Sequence, residues 1–107
     1  MITREKRYAL IDFARNQLDV AMRKLPEAVD TYKQTAETYG QYRMNGDYVC
    51  KQFYINGKFR TLESALDEMI EANNAVVFAE DQMYQYKHMS DKEIEAVYML
   101  MEVAHII

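Results

Sequence analysis

The sequence predicts an α+β fold that is mainly α. Two antiparallel N-terminal helices are expected first, then a small antiparallel β-hairpin or three-stranded meander, then two or three C-terminal helices. Three observations carry this. Apolar residues recur at steps of three and four through residues 4–39 and again from residue 62 onward, the period of a helix buried on one side. Two Asn-Gly pairs, Asn45-Gly46 and Asn56-Gly57, bracket the aromatic stretch DYVCKQFYI, and Asn-Gly is the preferred pair for a two-residue hairpin turn. Ser90-Asp91-Lys92-Glu93 has the Ser-x-x-Glu spacing of a capping box just ahead of an apolar run.

In order along the chain, Ile11, Ala14, Leu18, Ala21 and Leu25 mark the first helix over 4–24, widened by Tyr8 and Phe13 and capped by Thr3. Pro26 is expected to end it, because its ring disfavours the α conformation at Leu25. The same proline suits the first turn of a second helix, with Glu27 and Asp30 at the positive end of its dipole. Val29, Tyr32, Ala36 and Tyr39 form that helix's buried stripe and Gly40 is its expected stop.

With type I′ turns at both Asn-Gly pairs, Arg43 faces Tyr48 and Tyr54 faces Phe59. Val49, Phe53 and Ile55 then share one face with Tyr42 and Met44, and Tyr48, Cys50, Tyr54, Arg43 and Phe59 share the other. So small a sheet is marginal alone and should lie against the helices. Thr61 is expected to cap a helix carrying Leu62, Leu66, Met69, Val76, Ala79 and Met83, with Asn73-Asn74 leaving open whether 62–88 is one helix or two. The last helix, 91–105, is apolar nearly all round in its second half.

A chain of 107 residues is expected to form one domain, residues 1–107. No segment has signal-peptide character and none is long and apolar enough to cross a bilayer, and the single Cys50 rules out an internal disulfide framework. A reducing cytoplasm is the expected compartment, with no membrane association. The net charge of −4 is unevenly spread: +3 over residues 1–25, +1 over 26–61 and −8 over 62–107. Between Arg60 and Lys87 there is no base.

Catalysis is not expected. Cys50 lies mid-strand with no feature to activate its thiol, the three glycines fall at helix ends and turns, and Glu80-Asp81 are adjacent, about 100° apart on a helix. Glu102-Val-Ala-His105 has the Glu-x-x-His spacing of carboxylate metal sites, but the second copy, Gln85-Tyr-Lys-His88, carries Gln where the acid belongs. No metal or other cofactor is therefore expected.

What remains is binding. The helical segment after the sheet presents Glu63, Asp67, Glu68, Glu71, Glu80 and Asp81 beside Tyr84, an acidic face for a protein partner with a basic surface. The expected role is that of a non-enzymatic binding protein, an inhibitor or DNA mimic by analogy with small phage proteins. The last helix, through Val97, Leu100, Met101 and Ala104, offers a surface for a homo-oligomer, most simply a dimer. The alternative is a nucleotide or single-stranded nucleic-acid binder using hairpin 42–60, with Tyr48, Tyr54 and Phe59 to stack bases and Arg43, Lys51, Lys58 and Arg60 to meet phosphate.

Overall fold

The computed structural model describes residues 1–46 and 52–107. It holds three helices, α1 (Thr3–Met44), α2 (Leu62–His88) and α3 (Asp91–Val103), and a two-stranded hairpin of β1 (Phe53–Ile55) and β2 (Lys58–Arg60). The chain divides into two compact units: Met1–Val20 with Val77–Ile107, and Ala21–Val76.

The two expected N-terminal helices are one. α1 runs through Pro26 and through Gly40 to Met44. A proline inside a helix forfeits one backbone hydrogen bond and crowds the carbonyl one turn back, at a cost of about 3 kcal/mol. The apolar pattern offsets it by keeping step across the proline. Ile11, Leu18, Leu25 and Tyr32 are spaced by seven, and so are Ala14, Ala21, Ala28 and Thr35. All eight are buried or half-buried. A break at Pro26 would throw the two halves of that stripe out of register. In α2 the same arithmetic places Ala65, Ala72, Ala79 and Tyr86 every seven residues, and α2 is a single unbroken helix through Asn73-Asn74.

The first Asn-Gly pair ends α1. Asn45 donates to Gln41 O at 3.1 Å, Gly46 donates to Arg43 O at 3.2 Å, and only Gly46, at φ 77°, is left-handed. A type I′ turn needs positive φ at both central residues, so residues 42–44 form no strand and the three-stranded meander gives way to a two-stranded hairpin. Arg43 is helical rather than in a strand. Tyr48, Val49, Cys50 and Lys51 lie outside the described residues. The second pair is a turn of the expected kind, with Asn56 at φ 49° and Gly57 at φ 91° and the register Tyr54↔Phe59.

In the unit of residues 21–76, the hairpin is pinned at three points. Phe53 is buried with its ring 5.1 Å from that of Tyr42. Asn56 Nδ2 donates to Thr31 Oγ1 at 2.8 Å, while Thr35 Oγ1 returns to Thr31 O at 2.7 Å. Arg60 donates to Glu68 from both Nε (2.8 Å) and the terminal nitrogen (3.4 Å), and also to Ile55 O. Thr61 and Ser64 then exchange hydroxyl–amide bonds of 2.9 Å, which cap α2.

In the unit of residues 1–20 and 77–107, Leu10, Ile11 and Ala14 of α1 pack with Tyr86 of α2 and with Ile94 and Tyr98 of α3. Arg7 closes the α2–α3 corner. It donates to Tyr86 O (2.8 Å), Met89 O (2.7 Å) and Asp91 Oδ1 (2.9 Å), satisfying carbonyls that a helix end leaves unpaired. Ser90 and Glu93 form the expected capping box. α3 stops at Val103, two residues before the expected end. His105 turns left-handed at φ 58°, its amide donates to Glu102 O, and Ile106 donates to Met101 O at 2.9 Å, the paired bonds of a Schellman stop. His105 therefore leaves the helix and loses the i, i+3 relation to Glu102.

Also in this unit, Lys6 donates to Glu95 Oε2 at 2.6 Å and Thr3 Oγ1 donates to Oε1 at 2.5 Å. These two bonds hold the Glu95 carboxyl below its ordinary 4.5, and the bond to Glu95 holds the Lys6 ammonium above its ordinary 10.5. A depressed acid contributes stability above its unfolded pKa and loses it as pH falls through the folded one. A raised base contributes below its unfolded pKa and loses it as pH rises through the folded one. Glu95→Gln should thus melt below wild type across the neutral range, with the gap closing under pH 4.5 and again above 10.5. Melting curves over a pH series check this, and a gap of constant size at every pH would refute it.

Candidate interaction surfaces

Each unit carries its own share of the expected acidic residues. In the unit of residues 21–76, Glu63, Asp67 and Glu71 are exposed at steps of four along α2 and make no ion pair among the described residues. Glu68 stands apart. It accepts from Arg60 and sits 3.1 Å from Lys58 Nζ, and these cations hold its carboxyl below the ordinary range. Beside this stretch opens a cleft of about 550 Å³, lined by Ala21, Ala28, Ala72 and Ala75 and by the acids Glu27, Asp30, Glu68 and Glu71, with Lys24 and Arg60 as its bases. Glu27 and Asp30 were legible only as helix-start residues, because their approach to α2 depends on the packing of two segments some forty positions apart.

The hairpin's aromatic pair is exposed. Tyr54 (65%) and Phe59 (68%) meet edge to face, ring centres 5.2 Å apart. The bases expected to accompany them are otherwise engaged. Arg60 and Lys58 serve Glu68, and Arg43, at the end of α1, lies 6.0 Å from the Tyr39 ring. Tyr48 and Lys51 lie outside the described residues.

In the other unit, Glu80 and Asp81 are exposed and without an ion pair among the described residues, and Tyr84 is exposed with its ring 4.3 Å from that of His88. The basic N-terminal segment spends two of its cations on α3, as Lys6–Glu95 and Arg7–Asp91. The four expected interface residues divide. Val97 and Met101 pack on the unit's own core, whereas Leu100 and Ala104 are exposed. Met99 and Val103, which belong to the apolar surface the sequence already offers in the last helix, share the outward side with Leu100, whereas a segment apolar all round does not say which side is covered.

A separate apolar cleft of about 240 Å³ lies between Phe13, Phe78, Tyr86, Met101 and Ile106. Burial raises the Tyr86 phenol above its ordinary 10.0, and its hydroxyl donates to the Met101 sulfur at 4.0 Å. Among the described residues no group of three or more His, Cys, Asp or Glu side chains is placed to hold a metal ion, and no helix is long and apolar enough to cross a membrane. Comparison with protein-family models, with curated proteins and with solved structures finds no match.

Proposed function

We propose that this chain is a non-enzymatic binding protein of the cytoplasm that works through macromolecular contact. It presents acidic helical surface to a protein partner with a basic surface, and occludes that surface as an inhibitor or DNA mimic does. The observation that supports this is the unneutralised row Glu63, Asp67, Glu71 in the unit of residues 21–76. The nearby cations Arg60 and Lys58 are committed to Glu68, so the row's negative potential faces solvent. Exposed charge of one sign raises the rate of encounter with an opposite surface and falls off with salt. Glu80, Asp81 and Tyr84 form a second acidic set of the same kind. The chain is proposed to act as a homo-oligomer through α3.

The test is capture from a lysate of the source cells. Wild type should retain a basic protein, release it as salt rises, and lose it to added double-stranded DNA. Asp67→Lys with Glu71→Lys should cut retention at least about tenfold while leaving the helical circular dichroism unchanged, since neither side chain makes an ion pair among the described residues. Equal retention by the variant would refute the acidic-surface reading.

The exposed Tyr54–Phe59 pair favours one second reading, a nucleotide or single-strand binder that stacks bases on the hairpin. Lys58 and Arg60, the two cations of the described strand beside the rings, are committed to Glu68. A low-salt titration of wild type with labelled single-stranded oligonucleotide decides it, and saturable binding would put this reading ahead.

A further inference from the structure

We infer that the outward face of α3 is self-complementary and is covered by a second copy of this chain, the two helices lying antiparallel about a two-fold axis. The inference rests on the proposed self-association and specifies its geometry. α3 turns Ile94, Val97, Tyr98 and Met101 into its own unit. On its opposite side Ala96, Met99, Leu100 and Val103 are exposed, Leu100 at 65% and Val103 at 72%. Their i, i+3, i+4, i+7 spacing is that of a helix with one apolar face to cover.

The charges around the stripe say what covers it. Asp91 is held by Arg7, Glu93 by the Ser90 cap, and Glu95 by Lys6 and Thr3. Two charged groups make no ion pair among the described residues, Lys92 one turn ahead of the stripe and Glu102 near its end, where Lys6 of the same cleft attracts it at longer range. At 100° per residue Lys92 falls between Met99 and Val103, and Glu102 falls about 60° beyond Met99 at the rim of the stripe. A face that is positive at one end and negative at the other is its own complement when turned end for end. Antiparallel pairing brings Lys92 towards Glu102 of the partner subunit, twice, by symmetry. It also places each Lys92 near the negative end of the facing helix dipole. Parallel pairing would set lysine against lysine and glutamate against glutamate.

Shape agrees with charge. A shallow cleft of about 300 Å³ opens at Ala96, between Lys6, Met99 and Glu102, a hole beside a small residue of the kind a facing knob fills. A stripe of four residues on one helix lies at the small end of specific interfaces, so the dimer is expected to be weak and reversible.

The experiment is sedimentation velocity over a concentration series. Wild type should shift from monomer to dimer, and Leu100→Asp should stay monomeric with unchanged circular dichroism. Lys92→Glu and Glu102→Lys should each weaken the dimer about tenfold, by reversing two charge pairs. An equimolar mixture of the two variants should regain wild-type affinity, because each then meets its opposite. Lys92→Glu places an acid in the first turn of α3, where the dipole favours it, so its effect is not a loss of folding. A wild type that stays monomeric at every concentration overturns both the inference and the self-association beneath it. A wild-type dimer indifferent to the charge variants overturns the antiparallel pairing alone.

Discussion

Ile94→Ala should lower the free energy of unfolding by about 3 kcal/mol, within the range measured for emptying a filled core site. Ile94 is wholly buried and, with Leu10, is one of the few large side chains that solvent does not reach at all. Around it stand Ile11, Ala14, Tyr86 and Tyr98, flanked by three methionines. A small core has little redundancy, and typical total stability is only about 5–15 kcal/mol. The loss should also be local first. α3 is short, at 13 residues, near the length at which an isolated helix is marginal in water. Ile94 and Tyr98 are its buried anchors. Urea unfolding followed by circular dichroism measures the loss, and hydrogen exchange should show α3 amides losing protection before those of α1. A shift below about 1 kcal/mol would mean that the site is not packed as described.

Pro26→Ala should stabilise the protein, by about 1–3 kcal/mol. The residue lies in the interior of α1, where alanine restores a backbone hydrogen bond and removes the clash with the turn before it. The opposing effect, proline's restriction of the unfolded chain, is worth less, about 0.4–1 kcal/mol. The sign is decisive. Were Pro26 the first residue of a separate helix, its ring would be pre-organised there and alanine would be neutral or harmful. A raised urea midpoint with an unchanged slope supports the single helix. A lowered midpoint would restore the two-helix expectation.

The second Asn-Gly turn and the caps of α2 and α3 were legible residue by residue, whereas Thr3, the expected cap of α1, is that helix's first residue and gives its hydroxyl to Glu95. Asn56-Gly57, the Tyr54↔Phe59 register, the Thr61 cap and the Ser90–Glu93 box all stand where the sequence puts them. Each is satisfied by groups within a few positions, so nothing remote can override it. The seven-residue spacing of Ala14, Ala21, Ala28 and Thr35 was equally present and would have argued against a break at Pro26. The candidate surfaces were legible as composition, in the acids of 62–81 and the apolar carboxyl end. Their division was not. That Glu68 is neutralised while Glu63, Asp67 and Glu71 are open depends on where the hairpin lies in its unit.

From its order of residues alone this chain settles its helix-forming segments, its second turn and its two-ended charge, because those follow from neighbours a few positions away. Whether Pro26 opens a helix or sits inside one, and whether Asn45-Gly46 turns a strand or ends a helix, is settled by what the surrounding face packs against. So is the choice of which side of α3 is left open. A local signal with two low-energy readings is resolved by burial, and burial is a property of contacts between segments far apart in the chain.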